Sequence, residues 1–72
     1  MLNFAAGRPA RLRYLPGSYR LLADGDHVIC AVTQQQIPLS SLRYWSHELQ
    51  EPYMSAEVAA KRYAEAMEKG LL

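Results

Sequence analysis

The sequence predicts a small α+β domain: a mostly antiparallel sheet of three to four strands covered by one C-terminal α-helix, with exchange of an element between two copies as an option. Three observations carry this prediction. Short alternating or β-rich runs separated by Pro-Gly and Asp-Gly turns occupy the first two thirds of the chain, and a serine-capped run with helical period closes it. A length of 72 residues leaves room for one core only. Such a chain buries a modest share of its surface, so its stability margin is thin, and chains of this size commonly add a disulfide, a metal or a second subunit. Cys30 is the single cysteine, which excludes an internal disulfide. Self-association is then the most economical support, and a homodimer is the expectation.

Residues 1–9 end in Gly7-Arg8-Pro9 without periodicity and read as a loosely held N-terminal arm, from which Leu2 and Phe4 could dock. Residues 10–72 form the domain. From Ala10 to Tyr14 the pattern alternates, setting Leu12 and Tyr14 on one face of a strand and Arg11 and Arg13 on the other. Pro16-Gly17 turns the chain, proline presetting φ and glycine supplying the positive φ of a type II turn. A second strand follows over Ser18 to Ala23. Asp24-Gly25 predicts a two-residue hairpin, because a type I′ turn needs positive φ at both positions. That register sets Leu21 opposite Val28, Tyr19 opposite Cys30, Leu22 opposite His27 and Arg20 opposite Ile29. The third strand, His27 to Val32, is the most β-rich run and the expected centre, with Thr33-Gln34-Gln35-Gln36 as the loop leaving it.

Pro38 cannot donate to a ladder, which sends Ile37-Pro38-Leu39 to an edge or a crossing loop. Leu42 to Ser46 reads as a strand with Leu42 and Tyr44 on one face and Arg43 and Trp45 on the other. Leu42, Trp45 and Leu49 also fit helical spacing, with Ser41 as a cap, so strand and helix both stay open over Leu42–Gln50. The last element is predicted as a helix over Ala56 to Lys69, capped by Ser55, favoured at its positive end by Glu57 and stopped by Gly70. Ala56, Ala60, Tyr63, Met67 and Leu71 form its apolar stripe, and Glu57 with Lys61 and Glu65 with Lys69 are supporting pairs at four-residue spacing.

A hydrophobic fraction of 50% beside 21% charged residues argues for a packed core and against a disordered chain. The formal net charge of +1 demands neither nucleic acid nor an anionic membrane. Its distribution says more. Residues 1–47 carry Arg8, Arg11, Arg13, Arg20 and Arg43 against Asp24 and Asp26, whereas residues 48–72 hold five glutamates against Lys61, Arg62 and Lys69, so the two parts can attract each other within or between copies. No apolar run approaches the roughly 18 to 20 residues that span a bilayer, and no signal-like start is present, so the expectation is a soluble, cytoplasmic protein without a membrane partner.

Four constellations can be weighed for chemistry. Cys30 with His27 or His47 would make a nucleophile and base, yet neither histidine has an evident orienting partner and a free cysteine is more often a small buried hydrophobe. No catalytic residue is assigned and the chain is expected not to be an enzyme. Cys30-Ala31-Val32-Thr33 has the spacing of a zinc knuckle with threonine where the second thiolate belongs, a degenerate knuckle at most, so neither metal nor cofactor is expected. Arg11, Arg13 and Arg20 share one sheet face, with Arg13 opposite Arg20, a repulsive pair that an anion, single-stranded RNA or DNA, or an acidic surface would relieve. Finally, Tyr44 and Trp45 point to opposite faces of a strand and cannot both be hidden by one. With Arg43 and Tyr53 they form the candidate site for a protein partner, since Tyr, Trp and Arg anchor interfaces. The preferred reading is a non-enzymatic, homodimeric protein-interaction module; nucleic-acid binding through the arginines is the alternative.

Cys30-Ala31-Val32-Thr33, Ile37-Pro38-Leu39, Leu42-Arg43-Tyr44-Trp45-Ser46 and Gln50-Glu51 occur together in a combination too particular to be compositional. Over roughly Leu12 to Ser55 the chain resembles a group of small uncharacterised bacterial proteins, domain of unknown function 2093. Gln34 stands where the resemblance implies a glycine turn, which would shape the loop after Val32 differently here. The resemblance implies no activity, cofactor or site residue.

Overall fold

Six short strands and one helix follow one another in the computed structural model, which describes residues 7–72: β1 (Arg11–Leu15), β2 (Ser18–Ala23), β3 (His27–Ile29), β4 (Gln36–Pro38), a 3-10 turn (Leu39–Ser41), β5 (Tyr44–Ser46), β6 (Glu51–Tyr53) and α1 (Ala56–Glu68). The arrangement is α+β, antiparallel strands followed by one C-terminal helix. The strands are divided among three two-stranded ladders, β1-β2, β3-β4 and β5-β6, and do not join into one sheet.

The first hairpin forms as its sequence dictates. Gly17 takes φ 76°, and Leu15 pairs with Ser18, Tyr14 with Tyr19 and Arg13 with Arg20. A bulge beyond Leu12 leaves Leu22 as an extra residue between the pairs Leu12–Leu21 and Arg11–Ala23.

The Asp24-Gly25 hairpin does not form, and the pairs it implied between β2 and β3 are absent. Neither residue has positive φ. One flank of β3 is taken by residues 8–10: the Ala10 amide donates to the His27 carbonyl at 2.7 Å, the Asp26 amide to the Arg8 carbonyl at 3.0 Å, and Pro9 bridges His27 in parallel. The other flank pairs with β4, Val28 facing Ile37. Gly25 serves a different need. A Cβ there would overlap the Ala10 nitrogen and lie 2.5 Å from Ala10 Cα and from the Pro9 carbonyl carbon, so glycine permits two backbones to cross. Long-range contact thus overrides a local turn signal. The third strand also ends sooner than predicted, at Ile29, because the Gln34 amide turns back to the Cys30 carbonyl at 3.0 Å.

Of the expected arm, residues 7–9 are tied to β3 and to the Asp26 side chain, which accepts from the Gly7 amide at 2.8 Å. Leu2 and Phe4 lie outside the described residues. Pro38 closes β4 on a strand that pairs on one side only, the place its missing N–H allows. Between Leu42 and Gln50 the strand alternative is the one realised, shortened to Tyr44–Ser46 and followed by a turn.

Ala10, Tyr14, Val28, Cys30, Ile37 and Leu42 form the core, with Leu12, Tyr19, Leu39, Trp45 and Val58 packed against it. The helix is capped as predicted: Ser55 Oγ accepts from the Val58 amide at 3.2 Å, and Gly70 at φ 73° ends it with the Leu71 amide reaching back to the Ala66 carbonyl. Its buried side was not the expected one. Ala66 is fully buried and Val58, Ala59 and Arg62 are half-buried, whereas Tyr63, Met67 and Leu71 are 54, 56 and 52% exposed. Helical periodicity finds apolar stripes without ranking them, and the side that faces inward is the one carrying Val58, Ala66 and the Arg62 ion pair to Glu51. Glu65 and Lys69 pair at 3.4 Å; among the described residues Glu57 and Lys61 form no ion pair.

Candidate functional site

Trp45 is covered by the β1-β2 hairpin of its own chain. Its ring meets Tyr19 edge-on at 5.7 Å between centroids and lies 6.2 Å from Tyr14, and its Nε1–H donates to the Leu15 carbonyl at 2.8 Å. Burial, and secondarily the neighbouring Tyr19, push the Tyr14 phenol up to about 12. The hairpin is held in place by Gln50. This side chain accepts from the Tyr14 amide at 3.0 Å and donates to the Tyr14 carbonyl at 2.8 Å and the His47 carbonyl at 2.6 Å. Its amide therefore stands in for a neighbouring strand on the outer edge of β1. Gln50 does this from a left-handed backbone, φ 56°.

Glu51, beside it, anchors the helix. Arg62 grips Glu51 through Nε at 3.0 Å and Nη2 at 3.2 Å, and also reaches Glu65 at 2.6 Å. The Glu51 hydrogen bond, the largest influence, holds the guanidinium above its ordinary range. Tyr53 is buried and donates its hydroxyl proton to Glu51 at 2.9 Å; burial first and that acceptor second push its phenol up to about 12.

Two hollows flank Trp45, one on each side. Between the β5-β6 turn and α1 runs an apolar groove of about 430 Å3, walled by Trp45, Leu49, Tyr53, Ala59, Ala60 and Tyr63. Beyond Trp45 a second hollow of about 340 Å3 is bounded by Gly17, Arg43, Tyr44 and Ala59. Of the four residues expected to meet a partner, Arg43 and Tyr44 are exposed at the second hollow, Trp45 is half-buried between the two, and Tyr53 is buried with its ring in the wall of the first.

Arg11, Arg13 and Arg20 are exposed, and none forms an ion pair among the described residues. Strand alternation puts Tyr14 and Tyr19 on the opposite face, against Trp45, so these rings do not lie beside the arginines. Cys30 is fully buried, and its sulfur accepts from the Thr33 amide at 3.4 Å. Burial opposes ionisation of this thiol, but hydrogen bonds from Thr33 and from the Val32 and Met54 amides outweigh it and set it below the ordinary value. His27 is buried with Nδ1 2.6 Å from Asp26 Oδ1, and His47 is exposed 3.3 Å from Glu48. Among the described residues no three His, Cys, Asp or Glu side chains converge as a metal site. Gln34, where the resemblance implies glycine, has the left-handed φ of 64° that glycine adopts without cost.

The sequence marks Gln50-Glu51 only through the resemblance and assigns no role to Gln50, to a Glu51–Arg62 pair or to a groove wall at Leu49. The opposite charges of Glu51 and Arg62 were visible, but their meeting depends on how α1 folds back on β6.

Residues 21–62 match the model of a family described as an uncharacterized protein conserved in bacteria, DUF2093. The chain belongs to this family. The DUF2093 segment contains β3 to β6 and the first half of α1, and with them Trp45, Gln50 and both members of the Glu51–Arg62 pair. Tyr14 and Leu15, which cover Trp45, and the arginines of β1 lie ahead of it. No curated protein and no solved structure is significantly similar to the chain. Among the described residues no helix is long and apolar enough to cross a membrane.

Proposed function

We propose that this DUF2093 protein is a non-enzymatic interaction module that works as a homodimer, two copies packing antiparallel through the outward face of α1. The observation that carries the reading is the exposed strip Tyr63, Met67 and Leu71, which continues from the apolar groove beside Trp45. An apolar strip joined to a preformed groove is a surface that association removes from water. A second copy fits it for two reasons. Ala60 and Ala64 keep the helix surface low, so another helix can approach closely and lean on Leu49 and Trp45. Centring two antiparallel helices on Ala64 sets Lys61 of one copy near Glu68 of the other, and neither has an ion-pair partner among the described residues. Arg43 and Tyr44, on the other side of Trp45, stay open in this dimer for a protein partner. A cytoplasmic setting accords with Cys30 as a free, buried thiol.

Single-stranded nucleic acid on Arg11, Arg13 and Arg20 is less well supported, because the rings of that hairpin are engaged with Trp45 on the opposite face. The test of the dimer is sedimentation velocity over a wide concentration range. Wild type is expected to sediment as a dimer and Met67→Glu as a folded monomer. A wild-type monomer at the highest concentration would overturn the proposal.

A further inference from the structure

The β1-β2 hairpin has two outer edges that differ. At Tyr14 the edge of β1 is closed, since both backbone groups of that residue are taken by the Gln50 side chain. This closure fixes the state of the other edge. A residue whose amide and carbonyl point away from its partner strand sits in a non-hydrogen-bonded pair, so the residue opposite it points outward too. Tyr19 is opposite Tyr14, and Leu21 follows two residues on, opposite Leu12. The amides and carbonyls of Tyr19 and Leu21 therefore face out of the free edge of β2, and none of them is hydrogen-bonded among the described residues.

Among the described residues no strand or helix covers this edge up to Leu21. Ser18–Ala23 contains neither proline nor lysine, and Leu21 and Leu22 are 52 and 57% exposed. The bulge at Leu22 restricts regular pairing to the portion ending at Leu21. Between the two outward-facing residues, Arg20 rises from the face that also carries Arg13 and Arg11. A strand laid along this edge brings one side chain directly beside Arg20. In a second copy paired Tyr19 to Leu21, that side chain would be another Arg20, a like-charge contact. A carboxylate there relieves the repulsion between Arg13 and Arg20 as well.

We propose that the outer edge of β2 is a strand-addition site for an extended, acidic segment of a partner protein, its backbone bonding to Tyr19 and Leu21 and its acidic side chain lying on Arg20 and Arg13. The flanking residues of that segment share the face of Tyr19 and Leu21 and are apolar. The pattern recognised is thus apolar–acidic–apolar.

The probe is a short capped peptide alternating valine and glutamate, titrated at low salt into isotope-labelled protein. Tyr19 and Leu21 amides are expected to shift and to become protected from exchange. A lysine-for-glutamate peptide should bind at least about tenfold more weakly, and Arg20→Glu should reverse that preference. Leu21→Pro removes an outward donor without touching the β1-β2 ladder, so it should abolish binding while Trp45 fluorescence stays unchanged; if this variant fails to fold, the Arg20→Glu reversal decides. Equal binding of the two peptides would overturn the proposal, as would unmoved Tyr19 and Leu21 amides. Protection of those amides that grows with protein concentration would give the edge to a second copy, and single-stranded RNA outcompeting the peptide would give the face to nucleic acid; either would overturn it.

Discussion

Replacing Gln50 tests whether one surface amide holds the hairpin over Trp45. Gln50→Ala deletes three hydrogen bonds, two to the backbone of the buried Tyr14 and one to the His47 carbonyl. A net value of about 1 kcal/mol for each Tyr14 bond, with less for the exposed His47 bond because water replaces it, gives a loss of about 2–3 kcal/mol. A 72-residue domain is expected to have a stability of about 4–10 kcal/mol, so the loss is a large share. The left-handed backbone of Gln50 provides an internal control, since glycine loses the same bonds but relieves about 1 kcal/mol of strain. Urea denaturation followed by Trp45 fluorescence should rank the proteins wild type, then Gln50→Gly about 1–2 kcal/mol lower, then Gln50→Ala. A glycine variant as stable as wild type would refute the reasoning, because Gln50 would then be a turn residue whose side chain contributes nothing.

Gly25→Ala should cost about 2 kcal/mol or more in the same assay, because the new methyl meets the backbone of Pro9 and Ala10, which cannot rotate away; a loss under about 0.5 kcal/mol would contradict the crossing. Asp26→Asn should be less stable than wild type at neutral pH. The His27 hydrogen bond first, and the Gly7 amide second, hold the Asp26 carboxyl below its ordinary 3.8, so the wild-type advantage is full above that pH and shrinks as the pH falls through and below it. A gap independent of pH would refute that linkage. Of the five tyrosines, Tyr14 and Tyr53 should resist ionisation in an ultraviolet titration until near pH 12. Raised phenol values stabilise the fold below pH 10 and lose that contribution as the pH rises towards 12, so alkaline unfolding should accompany their ionisation; early ionisation of both in folded protein would refute the burial assigned to them.

Features whose causes lie within a few residues were legible in the sequence. Pro16-Gly17 sets the first hairpin, alternation sets its faces, Ser55 and Gly70 bound the helix, and the α+β class follows. Partner choice over longer range was not. Asp24-Gly25 has the residues of a hairpin turn, and only the passage of Pro9-Ala10 across Gly25 reveals the glycine as a crossing point. The periodicity of the helix marked one stripe, Ala56, Ala60, Tyr63, Met67 and Leu71, and the side that is covered instead carries Val58, Ala59 and Ala66. In the folded chain Ala66 and Val58 face inward on the side where Arg62 pairs with Glu51, and Tyr63 and Met67 face outward.

The same division holds for the candidate site. That Tyr44 and Trp45 oppose each other across a strand is a consequence of the two-residue period, independent of tertiary structure. Which one is covered, and by what, depends on where the first hairpin docks. By itself the sequence determined the Pro16-Gly17 turn, the helix caps and the alternating faces of the first hairpin, because these arise from backbone sterics and periodicity. Only the tertiary structure decided that Tyr14 and Tyr19 shield Trp45, that Gln50 closes one strand edge and leaves the other free, and that an apolar helix strip faces out, because contacts between distant residues are selected by the packing of the whole chain.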